Sequence, residues 1–291
     1  MSIYATFDQT ELDREYSPSS CIDDINVFLD AYASVSSKVK KCAVNQGSCI
    51  EDIAYGSQED EKLDLFLPSI TKCGPLQIFI HGGYWRALSK NDSAFAAAMF
   101  QQHGSCFAAL DYTLAPNATL TQIVEQNRLA ISWLYKNAEN YGIDRNRIYL
   151  SGSSAGAHLA IMMLLTDWSQ YGLPQDVIKG VCAVSGIYDL EPIRLSYVND
   201  PLGMNCKDAV ENSPMGKELH NHCPIILAYG DNETSEFKRQ TNEYRDFLLQ
   251  SDESVSFSEI KDRNHFNVIM DLMHADSWLS GQVLSQMVIS R

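Results

Sequence analysis

Basic residues are scarce in this chain. Its 22 Lys and Arg stand against 37 Asp and Glu, a net charge of −15 over 291 residues. Such a balance argues against nucleic acid and against anionic membrane surfaces as partners. Long apolar runs are missing too, and nothing approaches the ~18 residues of a membrane span. The start, Met1 to Asp8, has neither the basic cluster nor the apolar core of a secretory signal. Cysteine is present eight times, but never as C-x-x-C. Several cysteines fall in candidate strands as small apolar residues, so reduced thiols in a cytoplasmic protein are expected, with a Cys42–Cys49 disulfide left open. There is no H-E-x-x-H, no P-loop and no G-x-G-x-x-G after a strand, so no metal or cofactor is expected. His220, His222 and Cys223 lack a second cluster that would make them a metal site. Repeats, low-complexity tracts and Gly/Ser linkers are also absent.

What the chain does have is alternation of strand-like and helix-like segments. Apolar runs at Leu76–Ile80, Ser105–Tyr112, Arg147–Ser151, Ile178–Ser185, Pro224–Tyr229 and Ser254–Ile260 read as strands. Helical patterns at 91–103, 121–141, 155–165, 235–250 and 266–287 lie between and after them. This alternation predicts an α/β fold with a mostly parallel central sheet flanked by helices. Two antiparallel strands are expected to open it, at 49–56 and 62–67. Residues 1–48 read as a helical extension, with an amphipathic helix over Ile22–Val39 packing on the rim of the domain, and 49–291 as a single domain. The stretch 188–222, with Pro192, Pro201 and Pro214, reads as a small irregular cap insertion.

The chemistry centres on Gly152-Ser153-Ser154-Ala155-Gly156, a G-x-S-x-G pattern with a strand before it and a helix after it. That context is the nucleophile elbow of an α/β-hydrolase, with Ser154 as the nucleophile. Ser needs a base, and the chain order Ser…acid…His of this fold points to His265, after the last strand. The other six histidines fall on helices, on the insertion or, for His81, before a glycine pair where a structural hydrogen bond suffices. The acid belongs to the turn Gly230-Asp231-Asn232-Glu233. A G-x-x-D spacing favours Glu233, and Asp231 competes. Gly82, Gly83 and Ala155 are the expected N–H donors of an oxyanion hole. Tyr84, Trp85 and Tyr188 are candidate walls of an aryl pocket, with core anchoring as the alternative for Trp85.

The segments HGGYW at 81–85, DYTLAP at 111–116, GSSAGAHL at 152–159, SGIYDL at 185–190, GDNETSEFKRQ at 230–240 and NHFN at 264–267 resemble the kynurenine formamidase (arylformamidase) branch of the α/β-hydrolases. The likeness runs from about residue 50 to the C-terminus. It implies a serine hydrolase that cleaves a formyl amide on an aromatic amine, N-formylkynurenine being the usual substrate. It also implies a triad of Ser154, an acid in the 231–233 turn and His265, without a cofactor. Where relatives commonly carry Asp, this chain carries Glu233. Some members resemble general carboxylesterases, which keeps a small ester as the alternative substrate; a binding protein without catalysis is a third reading. A homodimer is a further expectation of the resemblance.

Overall fold

The computed structural model describes residues 2–69 and 73–287; the ends of the two expected segments at residue 1 and residues 288–291 lie outside them. Within that range eight strands form one sheet: Cys49–Ala54 (β1), Lys62–Phe66 (β2), Gly74–Ile80 (β3), Cys106–Leu110 (β4), Ile143–Ser153 (β5), Ile178–Val184 (β6), Ile225–Asn232 (β7) and Val255–Asn264 (β8). Their order is β1-β2-β4-β3-β5-β6-β7-β8. β2 runs antiparallel to both β1 and β4, and every other neighbouring pair is parallel. The helices are Gln9–Glu15 (α1), Asn26–Asn45 (α2), Ala97–Gln102 (α3), Leu120–Asn137 (α4), Ala155–Leu164 (α5), Glu191–Leu195 (α6), Cys206–Asn212 (α7), Ser235–Gln250 (α8) and Trp278–Gln286 (α9).

Helices cover both faces, so the central strands are mostly buried and mostly apolar where they cross the core. On β3, Leu76, Ile78 and Ile80 pack into one core with residues of α4, α5 and α8. Phe79 points the other way, into a second core with residues of α3 and α9. α5 is buried along its whole length. It can lie this close to β3 because residue 156 is glycine: a Cβ there would stand 2.0 Å from the Ile80 carbonyl oxygen.

The chain's first helices are built into this body. A carboxylate at the sheet, Asp64, is fully buried and is paired with Lys40 of α2 at 2.7 Å and with Lys90 at 3.0 Å. Tyr16 donates to Glu236 Oε2 at 2.8 Å and accepts from Gln240 Nε2 at 2.9 Å, both on α8. Tyr32 on α2 donates to the Phe266 carbonyl, and Phe28 stacks on the Phe266 ring at 5.7 Å.

Several segments differ from expectation, among them the N-terminal helix, which runs over Asn26–Asn45, and β5, which begins at Ile143. In place of a helix over 91–103 there is a 3-10 turn at Lys90–Asp92 and then the short α3. Ser89 caps the turn through its side chain, and Lys90 reaches back to Asp52 and Asp64, so this stretch is pinned before a helix can start. β8 runs to Asn264, four residues past Ile260; its end carries Lys261, Asp262 and Arg263, which an edge strand tolerates because its outer side faces water. Residues 188–222 are not irregular: α6, a 3-10 turn at Tyr197–Asn199 and α7 occupy them. All eight cysteines are free thiols, Cys42 and Cys49 included. No helix among the described residues is long and apolar enough to cross a membrane.

Candidate active site

The turn between β5 and α5 carries Ser154 at φ 57°, ψ −120°, a backbone conformation that costs energy for a residue with a Cβ. The Ser154 N–H donates to the Val184 carbonyl at 2.8 Å, which ties the turn to the end of β6. Gly82 is packed against it: a Cβ on residue 82 would stand 2.7 Å from the Ser153 carbonyl oxygen and 3.3 Å from Ser154 Cβ. At Gly83, φ is +87° and a Cβ would meet the Ala87 carbonyl oxygen at 2.3 Å. A side chain at either position would push the loop off the serine. Among the described residues, the N–H groups of Gly83 and of Ala155, the first residue of α5, donate to no protein acceptor. Unpaired N–H groups at a helix start attract negative charge.

His265 follows β8 on a turn built by two asparagines. Asn264 Oδ1 accepts from the N–H groups of Phe266 and Asn267 at 2.9 and 3.0 Å, and Asn267 Oδ1 accepts from the Asn264 N–H at 2.7 Å. The imidazole packs on Phe237 at 4.4 Å and on Phe266 at 5.3 Å. Its Nδ1 lies 2.8 Å from Glu233 Oε2. A carboxylate accepts, so Nδ1 is the donor of this bond, and in the neutral ring Nε2 is the nitrogen with the lone pair. Glu233 is itself held by two donors on its other oxygen: Ser185 Oγ and the Gly230 N–H, each at 2.6 Å from Oε1. Its side chain is fully buried. Asp231 is exposed, and its Oδ1 accepts from the Arg263 N–H at 3.2 Å, a brace between β7 and β8. The carboxylate at the imidazole is therefore Glu233.

Ser154, His265, Gly82 and Gly83 line one cavity of about 280 Å³. Among the described residues no hydrogen bond joins Ser154 Oγ to His265. Aromatic rings of Tyr32, Phe79, Tyr84, Phe95, Tyr197 and Phe266 form much of the wall. A model of the BD-FAE family matches residues 63–232 of the chain. The kynurenine formamidase of Danio rerio is 36% identical over 99% of both chains. The isoprenylcysteine α-carbonyl methylesterase of Arabidopsis thaliana is 33% identical over 71% of this chain and 51% of its own. A solved protein from a Silicibacter species superposes with a TM-score of 0.80 at 27% identity, covering 93% of this chain and 98% of that one.

The chain belongs to the kynurenine formamidase branch of the α/β-hydrolase superfamily. It is a hydrolase. Two of the three candidate wall residues lie elsewhere, Trp85 in the core, as its alternative reading has it. Trp85 is fully buried and meets His158 edge-on at 5.1 Å, away from the cavity. Tyr188 is fully buried and stacks on Tyr244 at 4.2 Å. Tyr84 and Trp85 both have positive φ, 50° and 57°, which turns successive side chains in directions that an ordinary loop would not. Only Tyr84 reaches the cavity; its hydroxyl donates to the Tyr16 carbonyl at 2.6 Å.

Other residues near the site lie in the quoted segments or in the N-terminal helix, with positions that spacing alone does not reveal. Ser185 was read as part of a strand, yet it sits at φ 51° just past β6 and its hydroxyl holds Glu233. The amphipathic helix at the N-terminus was expected on the rim; Ile25, Leu29 and Tyr32 of that region line the cavity. His81 stacks on Tyr112 at 4.2 Å, with Nδ1 3.0 Å from the Gly82 carbonyl. Burial pushes His81 down to about 4 and its neighbour Asp111 up to about 6. The 3.7 Å approach of these two groups is thus a contact of a neutral ring, not an ion pair. His158 is pushed to about 4 by burial, with Nε2 donating to the Asn212 carbonyl at 2.7 Å.

Proposed function

We propose that this chain hydrolyses an aryl formamide of the N-formylkynurenine kind through Ser154, His265 and Glu233. The observation that carries the reading is the buried Glu233–His265 pair beside a cavity that Ser154 also lines. Glu233 fixes the tautomer in which Nε2 is basic. As Ser154 Oγ attacks the formyl carbon, Nε2 takes the hydroxyl proton. The carbonyl oxygen becomes an anion, and the N–H groups of Gly82, Gly83 and Ala155 receive it; each such donor is worth ~10²–10³ in rate. The imidazolium then protonates the departing aryl amine, leaving a formyl ester on Ser154. Water, deprotonated by the same nitrogen, attacks that ester and releases formate and the free hydroxyl.

The name of the Danio rerio relative supports a formamide substrate, and the aromatic cavity wall suits an aryl group. A carboxylesterase with the same machinery is the second reading, favoured by the methylesterase relative. Steady-state rates on N-formylkynurenine beside phenyl acetate separate them. The proposal expects a higher kcat/KM on the formamide and loss of both activities in Ser154→Ala by ~10³ or more. A preference of a hundredfold or more for the ester would transfer the enzyme to the second reading.

A further inference from the structure

Behind the glycine pair stands a side chain with no part in the proton transfers. Tyr112 belongs to the DYTLAP segment, just past β4. β3 and β4 run parallel with Ile80 beside Leu110, so Tyr112 comes alongside Gly82. The Tyr112 ring is buried and stacks on the His81 imidazole at 4.2 Å, 11° from parallel. Its hydroxyl lies 3.0 Å from the His81 carbonyl oxygen and 3.3 Å from the Gly82 carbonyl oxygen. Consecutive carbonyls of an extended chain point to opposite sides, yet here one hydroxyl meets both. Among the described residues the His81 carbonyl has no other donor. The Gly82 carbonyl has a second one in His81 Nδ1, at 3.0 Å.

The direction of these carbonyls fixes the direction of the N–H groups. A peptide unit is planar, and in the trans form its N–H points away from its C=O. Both loop peptides are trans. The His81 carbonyl shares its plane with the Gly82 N–H, and the Gly82 carbonyl with the Gly83 N–H. Both N–H groups therefore point away from Tyr112, toward one side, and neither donates to a protein acceptor among the described residues. Successive N–H groups turned one way make a concavity that takes an anion. We infer that Tyr112 is a positioning residue of the oxyanion hole: its hydroxyl, behind the loop, holds the His81 and Gly82 carbonyls so that the Gly82 and Gly83 N–H groups face the anion. This rests on the serine-hydrolase reading above and adds a residue to it. A glycine peptide has no Cβ to hinder its rotation. A flipped Gly82–Gly83 unit would present a carbonyl oxygen to the anion in place of an N–H, and the two would repel. Burial holds the Tyr112 phenol well above its ordinary value near 10, so the donated proton stays in place at neutral pH.

The test is Tyr112→Phe in the full chain, which keeps the ring and removes only the hydroxyl. End-point labelling with a fluorophosphonate counts the serines that still react, and rates are expressed per reactive serine, so misfolded protein drops out. The substrate is whichever of N-formylkynurenine and phenyl acetate the wild-type enzyme cleaves faster. The expected result is a fall in kcat of about tenfold or more, short of the ~10²–10³ for deleting a donor outright, with KM within about threefold of wild type. Phenylboronic acid supplies the second readout, because it forms a tetrahedral anion on a reactive serine. Its inhibition constant should rise by about the factor by which kcat falls. A general loosening of the site would instead raise KM and the inhibition constant together, and that result would overturn the inference. So would a kcat within about threefold of wild type, or an unchanged inhibition constant. Ser154→Ala separates the two levels: its retention of activity would overturn the serine-hydrolase reading itself, whereas its loss beside a fully active Tyr112→Phe would overturn the inference alone.

Discussion

Replacing Glu233 by Gln isolates what the carboxylate does. Two donors, Ser185 Oγ and the Gly230 N–H, converge on Oε1 at 2.6 Å. An amide at this position can satisfy both only by placing its oxygen there. Its NH₂ group then faces His265 Nδ1, where Glu233 Oε2 stood at 2.8 Å. An NH₂ donates, so Nδ1 must become the acceptor and the proton moves to Nε2. The nitrogen needed to take the Ser154 proton is then already protonated. The fold should barely notice, because the two bonds into Oε1 are kept and the one to the imidazole is replaced by one of the opposite sense. The expected result is a fall in kcat of ~10³–10⁴, the size seen when a triad histidine is locked in the wrong tautomer, with a thermal midpoint near that of wild-type enzyme. Steady-state turnover of N-formylkynurenine and a melting curve on one sample measure both. Asp231→Asn is the control, since that exposed carboxylate only braces β7 to β8, and it should change kcat by less than about threefold. A Glu233→Gln enzyme with more than a tenth of wild-type kcat, or an Asp231→Asn enzyme more impaired than it, would refute the assignment.

Three further outcomes follow from the geometry. Ser185→Ala removes one of two donors to a fully buried carboxylate, so unfolding free energy should drop by about 1.5–3 kcal/mol in chemical denaturation, with kcat reduced. Gly83→Ala should lose most activity, because the new Cβ meets the Ala87 carbonyl oxygen at 2.3 Å and φ is +87°; an active variant would show that the loop is not held by this contact. His158 is kept neutral by burial, its folded value near 4 against 6.5 unfolded. Between those two pH values the unfolded chain takes up a proton that the folded chain refuses, so this contribution is intact above pH 6.5 and is lost as pH falls toward 4. The cost is about 1.4 kcal/mol for each pH unit, and a His158→Gln variant should show a correspondingly flatter dependence of melting temperature on pH in that window.

The elbow was legible in the sequence because its constraints are local. Gly152, Ser154 and Gly156 are needed within five residues, where β5 turns into α5. Strand alternation was legible because both sheet faces are covered, which makes the central stretches of β3 to β7 mostly apolar. The choice of Glu233 followed from loop spacing, and the turn that puts its carboxylate under the imidazole is short enough for spacing to count. Ser185 opens the SGIYDL segment, but its role was hidden: nothing marks that serine as a partner of Glu233 until the fold brings the two together, 48 residues apart in the chain. Trp85 and Tyr188 misled for a related reason. Their place next to motif residues is a fact of the chain, but the direction of each ring depends on positive φ at Trp85 and on Tyr244 from α8. The role of the N-terminal residues at the cavity was invisible because amphipathic spacing tells which face is covered, not by what.

The bond from Tyr32 to Phe266 spans 234 residues of chain. The two residues leave the ribosome far apart in time, and domains fold largely as units during synthesis. Until residue 266 emerges, Tyr32 can stack on Phe95 but lacks its acceptor at the Phe266 carbonyl, and the imidazole of His265 is absent. A nascent chain of this design therefore completes its cavity only once both ends of that 234-residue span are present, and the apolar face of α2 is left partly uncovered until then.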